Sequence, residues 1–544
     1  MSHAVSPPLG ARPARTTRMA RHRATSSPAA DFVRTLWVVW VPLLAIAVGL
    51  YARLRQWVGG RSLWLDEVLI ADNLVHRGFL DLVGKPLLHS QAAPVLWLWL
   101  ERLCVDLFGA GERSLRLVPL LSGVAVMVLT LLLGRRVLPA VLVPLPVVLV
   151  ALQPSLIYYS NEVKQYSTDG VVVLVVVLLA FRVPPRSADG PRLRQLALAG
   201  VVAVWLSHVA VLVMAGVSVV LVLRAGDRRL ATRTALVLSP WLASLALSYV
   251  TVLRPLTQNQ PLVDYWGYSF PHSALDLPAW LLRRWYDLAK TPLGMTFRLV
   301  GLAVLIVGLV RLATASARDA WLVWAAVPMA LLAAALSAYP FAGRLALWLV
   351  PLAMVTMAAA LPSSIRRGGA AWLLAGTAAL TAVFGPSVGS ALALTRDVQQ
   401  VEELRPLLEQ FARIRQPGDL VYVEVATREA FEYYAAQTGV RRDGVILFVP
   451  RVDAACDDVP ALNAGRFASE RVWIISSHRL VDVARLGTRE DLLARIMTVS
   501  REVKHLHTTR ADAYLFDPST GAQQRRQTVP RNPERCLALI RSSR

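Results

Sequence analysis

The chain has 544 residues, of which 55% are hydrophobic and 17% charged, and its mean hydropathy of +0.48 excludes an ordinary water-soluble protein. The apolar residues fall in long runs, each long enough to cross a bilayer as a helix, so the sequence predicts a polytopic α-helical membrane protein. The net charge of +22 does not indicate a nucleic-acid partner, because the arginines crowd the loops between apolar runs, as cytoplasmic loops of membrane proteins require.

Residues 1–34 precede the first apolar run and are rich in Arg, Ser, Pro and Ala. This composition is typical of a disordered segment, and its arginines place it in the cytoplasm. The apolar run that begins at Thr35 is too long for a cleavable signal peptide, so we expect a signal anchor that is retained. Arg53 and Arg55, which lie late in this run, are interpreted as interface anchors.

Hydropathy predicts about 11 membrane spans along the chain. They lie at 36–58, 115–134, 137–157, 168–182, 193–205, 207–224, 232–253, 298–314, 320–338, 344–361 and 370–392.

Two apolar segments are ambiguous. The segment 93–109 contains three charged residues, and it either spans the membrane or lies in the interface; the segment 193–224 is one helix or two. Most loop arginines stay cytoplasmic only if 93–109 lies flat and 193–224 is two spans, which is the assignment we adopt. The exterior face then holds the loops 59–114, 158–167, 254–297 and 339–343.

Residues 396–544 differ from the rest because their apolar runs shorten to strand length. These runs are LVYVEV (420–425), VILFVP (445–450), RVWIIS (471–476) and AYLF (513–516), and they alternate with the helical patterns VEELRPLLEQFARI, REAFEYYAAQ and REDLLARIMTV. The alternation predicts a small α/β domain, which an odd number of preceding spans places outside the membrane. The sequence leaves open whether Cys456 and Cys536 form a disulfide there.

Polar residues gather in the predicted exterior loops. Each set, taken alone, is more often an interfacial cap, a solvated loop charge or a snorkelling arginine. Three separate segments nevertheless bring carboxylates and cations to one membrane face, so we interpret them together as one site. Its members are Asp66, Glu67 and Lys85 in the first loop, Glu162, Lys164 and Tyr166 in YYSNEVKQYSTD, and Arg344 at the outer mouth of a late span.

Carboxylates beside cations on a membrane surface favour one class of reaction. A carboxylate takes a proton from a hydroxyl nucleophile, and lysine or arginine holds a phosphate leaving group as it gains charge. Grooves between spans accommodate a lipid tail. The pattern therefore indicates sugar transfer from a polyprenyl-phosphate donor to an acceptor hydroxyl.

Three motifs carry a resemblance to a known family: LWLDE in the first exterior loop, NEVKQYSTD after the third span, and YPFAGRLALWLVP near a late span. Together they resemble the membrane glycosyltransferases of the GT-C superfamily, in the bacterial branch similar to protein O-mannosyltransferases and the lipid A aminoarabinose transferase. The resemblance covers residues 35–395. It implies that Asp66 is the catalytic or acceptor-positioning carboxylate, with Glu67 beside it.

In the second motif, Glu162-x-Lys164-x-Tyr166 stands where the family has Glu-x-Arg-x-Tyr, so a lysine replaces an arginine. The resemblance implies that Lys164 and Arg344, with Lys85, bind the donor phosphate, while Glu162 and Tyr166 position Lys164 or the sugar. A single displacement at the anomeric carbon inverts its configuration.

The sequence thus predicts an inner-membrane glycosyltransferase with three parts: a disordered cytoplasmic tail (1–34), a transmembrane glycosyltransferase domain (35–395) and an exterior α/β domain (396–544). Its expected partners are a polyprenyl-phosphate sugar, membrane lipid and an acceptor that is a glycan, a lipid or a protein. We expect no obligatory cofactor, and a divalent cation near Asp66 and Glu67 stays open because no ligand cluster demands one.

Two other function classes compete with this interpretation. A transporter or flippase of lipid-linked sugars predicts internal repeats and charges near the middle of the bilayer, and the sequence shows neither. A scaffold would use the exterior domain as a binding module, but that domain has no Gly-rich phosphate loop and no metal-ligand spacing.

Overall fold

The computed structural model of the chain describes residues 32–33, 35–184, 190–254, 260–362, 369–448, 469–477, 493, 497 and 500–518. Nearly all of the predicted cytoplasmic tail, both Cys456 and Cys536, and most of the REDLLARIMTV segment lie outside the described residues.

The N-terminal half of the chain is helical. Its helices are α1 (Val41–Gly59), α2 (Leu65–His76), α3 (Asp81–Gly84), α4 (Val95–Phe108), α5 (Glu112–Leu115), α6 (Leu117–Val137), α7 (Pro144–Ala151), α8 (Pro154–Tyr159), α9 (Tyr166–Arg182), α10 (Pro191–Leu206) and α11 (Ala210–Leu223).

Further helices follow, and among the described residues strands begin only after residue 419. The helices are α12 (Arg228–Leu238), α13 (Pro240–Ser248), α14 (Gln260–Trp266), α15 (Leu277–Lys290), α16 (Arg298–Ala315), α17 (Ala317–Val323), α18 (Ala326–Ala335), α19 (Leu349–Ala359), α20 (Gly369–Arg396), α21 (Leu404–Ile414) and α22 (Arg428–Thr438). The strands are β1 (Leu420–Glu424), β2 (Val445–Phe448), β3 (Val472–Ser476), β4 (Ser500–Thr508) and β5 (Ala511–Pro518).

Several helical segments are long and apolar enough to cross a membrane, which makes the chain a multi-pass membrane protein. Among the described residues there are 5 such segments, or up to 6 if α17 and α18, bent by 48°, form one span. They correspond to the predicted spans at 36–58, 115–134, 232–253, 298–314 and 370–392. The bent pair of α17 and α18 corresponds to the predicted span at 320–338. The 5 are Leu36–Gly59, Glu112–Val137, Arg228–Leu253, Arg298–Ala315 and Ala378–Arg396.

The other predicted spans are short or interrupted helices. The segment 137–157 is divided at Gln153, where Pro154 begins α8, and 193–224 is divided around Ser207 into α10 and α11. Helix α9 has 17 residues, and α4 has 14 within the ambiguous segment 93–109. A straight span needs about 20 residues, so a count by helix length is lower than the predicted count of about 11.

Helix α1 is fixed to α7 through a buried arginine. Arg53 is fully buried, and its Nη1 donates hydrogen bonds of 3.0 Å to the carbonyl oxygens of Gly49 and Ala151. Ala151 is the last residue of α7, where the carbonyls have no partner within the helix. The interpretation of Arg53 as an interface anchor is therefore wrong, because its donors satisfy a helix end inside the bundle.

Glycines allow two pairs of helices to approach closely. A Cβ at Gly216 of α11 would lie 1.9 Å from the carbonyl oxygen of Ala325, and one at Gly308 of α16 would lie 2.0 Å from that of Thr356 in α19. Small residues are the usual means by which membrane helices pack backbone against backbone. A larger side chain at either glycine would force these helices apart.

The strands form one five-stranded sheet in the order β2-β1-β3-β5-β4. Strands β1, β2 and β3 are parallel, whereas β5 runs antiparallel to both β3 and β4. Apolar residues of α21 and α22, including Phe411 and Phe431, pack against Val423, Trp473 and Ile475 on one face. The predicted strand segments thus form strands at β1, β2, β3 and β5.

The edge strand β4 was missing from the sequence prediction. Its sequence SREVKHLHT has no alternating apolar pattern, and Ser500 and Leu506 are its only buried residues. Within the described residues β4 has one neighbouring strand, β5, so it needs fewer apolar side chains than a central strand.

The sheet and its helices α21 and α22, together called the sheet unit, pack on the loop that follows α1 and on α2. The backbone N–H of Leu63 donates a 2.6 Å hydrogen bond to the Tyr434 hydroxyl of α22, and the N–H of Ser62 donates one of 3.2 Å to Glu403. The N–H of Leu65 donates to Glu402 at 3.1 Å. Glu402, Glu403 and Tyr434 therefore hold the backbone immediately before α2 in place.

Candidate functional site

The beginning of α2 places two carboxylates in its first turn. Helix α1 ends at Gly59 and is capped by Gly60, whose φ of +55° reverses the chain, and Trp64 is extended before α2 begins at Leu65. The backbone N–H of Trp64 donates a 3.3 Å hydrogen bond to Glu67 Oε2. Negative charge in a first helical turn is favoured by the helix dipole, so Asp66 and Glu67 are compatible with the helix that carries them.

Asp66 lies between two cations from distant segments. Its Oδ1 is 3.1 Å from Lys164 Nζ, and its Oδ2 is 2.8 Å from Arg344 Nη1. Lys164 Nζ also donates a 2.7 Å hydrogen bond to Gln91 Oε1 of the first loop. Three segments that the sequence analysis assigned to one site therefore meet at Asp66.

The cations keep Asp66 ionised. Burial raises the pKa of this carboxyl group, but the charges of Lys164 and Arg344 lower it by more, so the pKa lies below its ordinary value. The Lys164 side chain is 5% exposed, whereas those of Asp66 and Arg344 are each 18% exposed. A ligand from solvent can thus reach Asp66 and Arg344.

Aromatic rings cover the Arg344 guanidinium. Its central carbon is 5.7 Å from the centre of the Tyr166 ring and 5.8 Å from that of the Trp266 ring, and Trp266 stacks on Tyr268 with ring centres 6.0 Å apart. The sequence predicts a role for Tyr166 but not for Trp266, which lies in the predicted exterior loop 254–297. Aromatic faces attract a guanidinium and restrict its orientation.

Glu67 points to a different set of partners from Asp66. It is fully buried, and its oxygens contact Arg116 at 2.9 Å (Nε) and 2.6 Å (Nη2). Its Oε1 accepts a 2.9 Å hydrogen bond from the N–H of Val163, and Arg61 lies 3.9 Å from its Oε2. These contacts tie the first loop to α6 and to the Glu162 segment, so Glu67 supports the site and has no access to solvent.

Glu162 is a buried carboxyl group close to these charges. Within the described part of the chain, neither of its oxygens has a hydrogen-bond partner. Burial raises the pKa of Glu162 to about 7, and the negative charge of Glu67 adds to the effect. The site therefore contains one carboxylate that is held ionised and one carboxyl group that exchanges a proton near neutral pH.

Lys85 is placed apart from this group. Its Nζ lies 2.7 Å from Asp81 Oδ1, and its side chain is 64% exposed. Within the described residues it forms no ion pair with Asp66, so the structure does not bring it together with Lys164 and Arg344. In the first loop it is Gln91, rather than Lys85, that contacts Lys164.

The surroundings of Asp66 do not suit a divalent cation. Both of its oxygens face positively charged side chains, and those of Glu67 face Arg116 and Arg61. A cation needs carboxylate oxygens that are free to coordinate it, and here the cations are supplied by the chain itself. We therefore derive no catalytic step through a metal at this position.

Sequence comparison identifies no relatives, since no family model and no curated protein matches the chain. Structural comparison finds solved structures with a similar fold. The crystal structure of ArnT from Cupriavidus metallidurans bound to undecaprenyl phosphate is 14% identical over 90% of this chain and 100% of that chain, with a TM-score of 0.49.

The oligosaccharyltransferase from Archaeoglobus fulgidus is also similar. Its crystal structure in the apo form is 11% identical, covers 82% of this chain and 70% of that chain, and has a TM-score of 0.50. Its complex with Zn and sulfate is 14% identical over 87% and 72%, also with a TM-score of 0.50. The chain therefore shares its fold with this oligosaccharyltransferase, which agrees with the fold that the predicted resemblance implies.

Proposed function

We propose that this chain with a GT-C fold transfers a sugar from a polyprenyl-phosphate donor to an acceptor hydroxyl on the outer face of the cytoplasmic membrane. The observation that carries the proposal is the ion-paired group of Asp66, Lys164 and Arg344, which unites three segments of a membrane-helix bundle. The N-terminus is cytoplasmic, and the sheet unit lies on the same exterior side as this group.

Lys164 and Arg344 bind the donor phosphate. Arginine offers paired N–H donors that match two phosphate oxygens, and lysine adds a compact charge. Gln91 orients the lysine through the 2.7 Å hydrogen bond, and Tyr166 and Trp266 orient the guanidinium. Both cations interact more strongly with the phosphate as the bond to the sugar breaks, because the leaving phosphate gains negative charge.

Asp66 receives the proton of the acceptor hydroxyl. The acceptor oxygen forms a bond to the anomeric carbon while the bond from that carbon to the phosphate oxygen breaks. The bonding electrons leave with the polyprenyl phosphate, and attack from the opposite side inverts the anomeric centre.

Donor binding increases the basicity of Asp66. In the ligand-free chain the charges of Lys164 and Arg344 hold its pKa below the ordinary value. When both cations turn to a phosphate, their charges are neutralised, and the pKa of the buried carboxylate rises. A stronger base is then present only when the donor is bound, which limits unproductive proton transfer.

The proposal is tested by measuring sugar transfer in membranes that contain the Asp66→Asn variant. The assay supplies radiolabelled polyprenyl-phosphate sugars and measures label in the acceptor fraction. Loss of a general base lowers the rate by about 10²–10⁴-fold. The matched control is Asp72→Asn, in the same helix, where the carboxylate contacts His76 and His89 instead.

Full transfer by Asp66→Asn would contradict the assigned role. Movement of intact labelled lipid across the membrane without a covalent product would instead favour the transporter alternative. Polyprenyl phosphate that copurifies with the parent chain but not with a variant carrying both Lys164→Met and Arg344→Met would support the phosphate site separately from the base.

A further inference from the structure

A second cluster of chemically active side chains lies on the β4–β5 hairpin of the sheet. Alternate residues of a strand point to the same face, so His505 and His507 share one face of β4. The strand register pairs His507 with Asp512 and His505 with Tyr514. The hairpin thereby brings two imidazoles and one carboxylate together, although 4 residues separate His507 from Asp512 in the sequence.

The three side chains converge on one point. Asp512 Oδ1 is 2.9 Å from His505 Nε2 and 2.7 Å from His507 Nδ1, and the three potential ligand atoms lie within 4.8 Å of one another. The His505 ring stacks on Tyr514 with centres 4.2 Å apart and planes 13° apart, which fixes its orientation. Asp512 is 10% exposed and His507 is 66% exposed, so the cluster is closed towards the sheet and open to solvent.

We propose that His505, His507 and Asp512 bind a divalent transition-metal ion of the Zn²⁺ class, with a fourth coordination position open to solvent. Imidazole nitrogen and carboxylate oxygen are the ligands that Zn²⁺ takes in tetrahedral sites. At metal–ligand distances of about 2.0–2.1 Å, neighbouring ligand atoms of a tetrahedron are about 3.4 Å apart. The nitrogens would move about 0.5–0.7 Å away from Asp512 and up to about 1.4 Å towards each other, which exposed histidine side chains permit.

This site is independent of the proposed glycosyl transfer. None of its three residues forms an ion pair with Asp66, Lys164 or Arg344 within the described chain. A bound ion would join the edge strand β4 to β5 through three side chains, in addition to the backbone ladder. The open position would accept water or a ligand atom of a molecule that approaches the sheet unit from outside.

The test uses the full-length chain, purified in detergent without a polyhistidine tag and stripped with a chelator. Zn²⁺ is titrated in competition with a chromophoric chelator, and Co²⁺ is added separately, because tetrahedral Co²⁺ has intense visible absorption. We expect one competing site per chain. His505→Ala, His507→Ala and Asp512→Asn should each weaken Zn²⁺ binding by at least about tenfold.

The matched control is His76→Ala, which removes an exposed histidine that contacts Asp72 on α2. It should leave Zn²⁺ affinity unchanged, as should Asp66→Asn. The proposal is overturned if the stripped parent chain does not compete for Zn²⁺, if the three hairpin variants bind as tightly as the parent, or if His76→Ala abolishes binding. An unchanged elution volume and melting temperature in metal-free buffer show that each variant is folded.

Discussion

Glu162 makes the stability of this chain depend on pH, and a single substitution should remove that dependence. Its pKa is raised from the ordinary 4.5 to about 7, chiefly by burial. Between these two pH values the folded chain keeps a proton that the unfolded chain has lost. The free energy of unfolding therefore falls as the pH rises through this window and levels off above it.

The size of the effect follows from the two pKa values. At about 1.4 kcal/mol for each pH unit, a rise from 4.5 to about 7 corresponds to about 3 kcal/mol. Glu162→Gln has nearly the same shape and cannot ionise. We expect the variant to exceed the unfolding free energy of the parent by less than about 1 kcal/mol near pH 5 and by up to about 3 kcal/mol at pH 8.

The measurement is unfolding in detergent micelles at pH 5, 6, 7 and 8, followed by tryptophan fluorescence. Glu67→Gln is the contrasting variant. Burial raises the pKa of Glu67, but the charges of Arg116 and Arg61 lower it by more, and the pKa lies below its ordinary value. Its removal leaves buried arginines unpaired, so this variant should lose about 3–5 kcal/mol at neutral pH.

A raised pKa at Glu162 would be refuted if Glu162→Gln followed the pH profile of the parent, or if the variant were less stable than the parent at pH 8. Either result would mean that Glu162 is ionised in the folded chain without penalty. A partner for its carboxylate, rather than burial, would then dominate its chemistry.

Three further predictions follow from the contacts of the site. Arg344→Lys should lower kcat/KM for transfer by at least about tenfold, because lysine lacks the paired donors and the ring stacking of arginine. Lys85→Ala should change kcat/KM by less than about twofold. Initial rates at several donor concentrations measure kcat/KM for both variants. Tyr434→Phe leaves the buried N–H of Leu63 without its acceptor and should lower the free energy of unfolding by about 1–3 kcal/mol. Thermal unfolding measures this loss, and excitation of tryptophan alone excludes fluorescence from the new phenylalanine. Leu275 is 93% exposed in loop 254–297, so the cysteine of Leu275→Cys should react with a membrane-impermeant maleimide in intact cells. If this cysteine reacted only after the cells were lysed, the loop would face the cytoplasm, opposite to the proposed orientation.

The contact between Asp66, Lys164 and Arg344 could be anticipated because the positive-inside rule placed their segments on one face. The individual hydrogen-bond and ion-pair partners of the buried charges could not be anticipated in the same way. Arg116 follows a polar loop and begins a span, so from sequence it resembles any charge at a membrane boundary. Its partner Glu67 lies 49 residues away in the chain, and only the tertiary fold brings the two side chains together.

The helical architecture was predictable in kind but not in detail. Hydropathy detects apolar segments, but it does not show that Gln153 and Pro154 divide one of them into two short helices. Nor does it distinguish a charge at the membrane interface, as predicted for Arg53, from one buried inside the bundle, where Arg53 lies. In the sheet, the hairpin register that joins His507 to Asp512 depends on a strand with almost no apolar signal.

The hydrogen bond between Leu63 and Tyr434 joins residues 371 positions apart. During synthesis the ribosome completes the membrane helices before it reaches Tyr434. Until the sheet unit has reached the proposed exterior side and docked, the nascent chain lacks the acceptors that Tyr434, Glu402 and Glu403 provide for the backbone ahead of Asp66. A chain that stops short of residue 402 would still insert into the membrane, but with its Asp66 loop incompletely fixed. The order of synthesis thus delays fixation of the backbone ahead of Asp66 until residues 402–434 have been made and have docked.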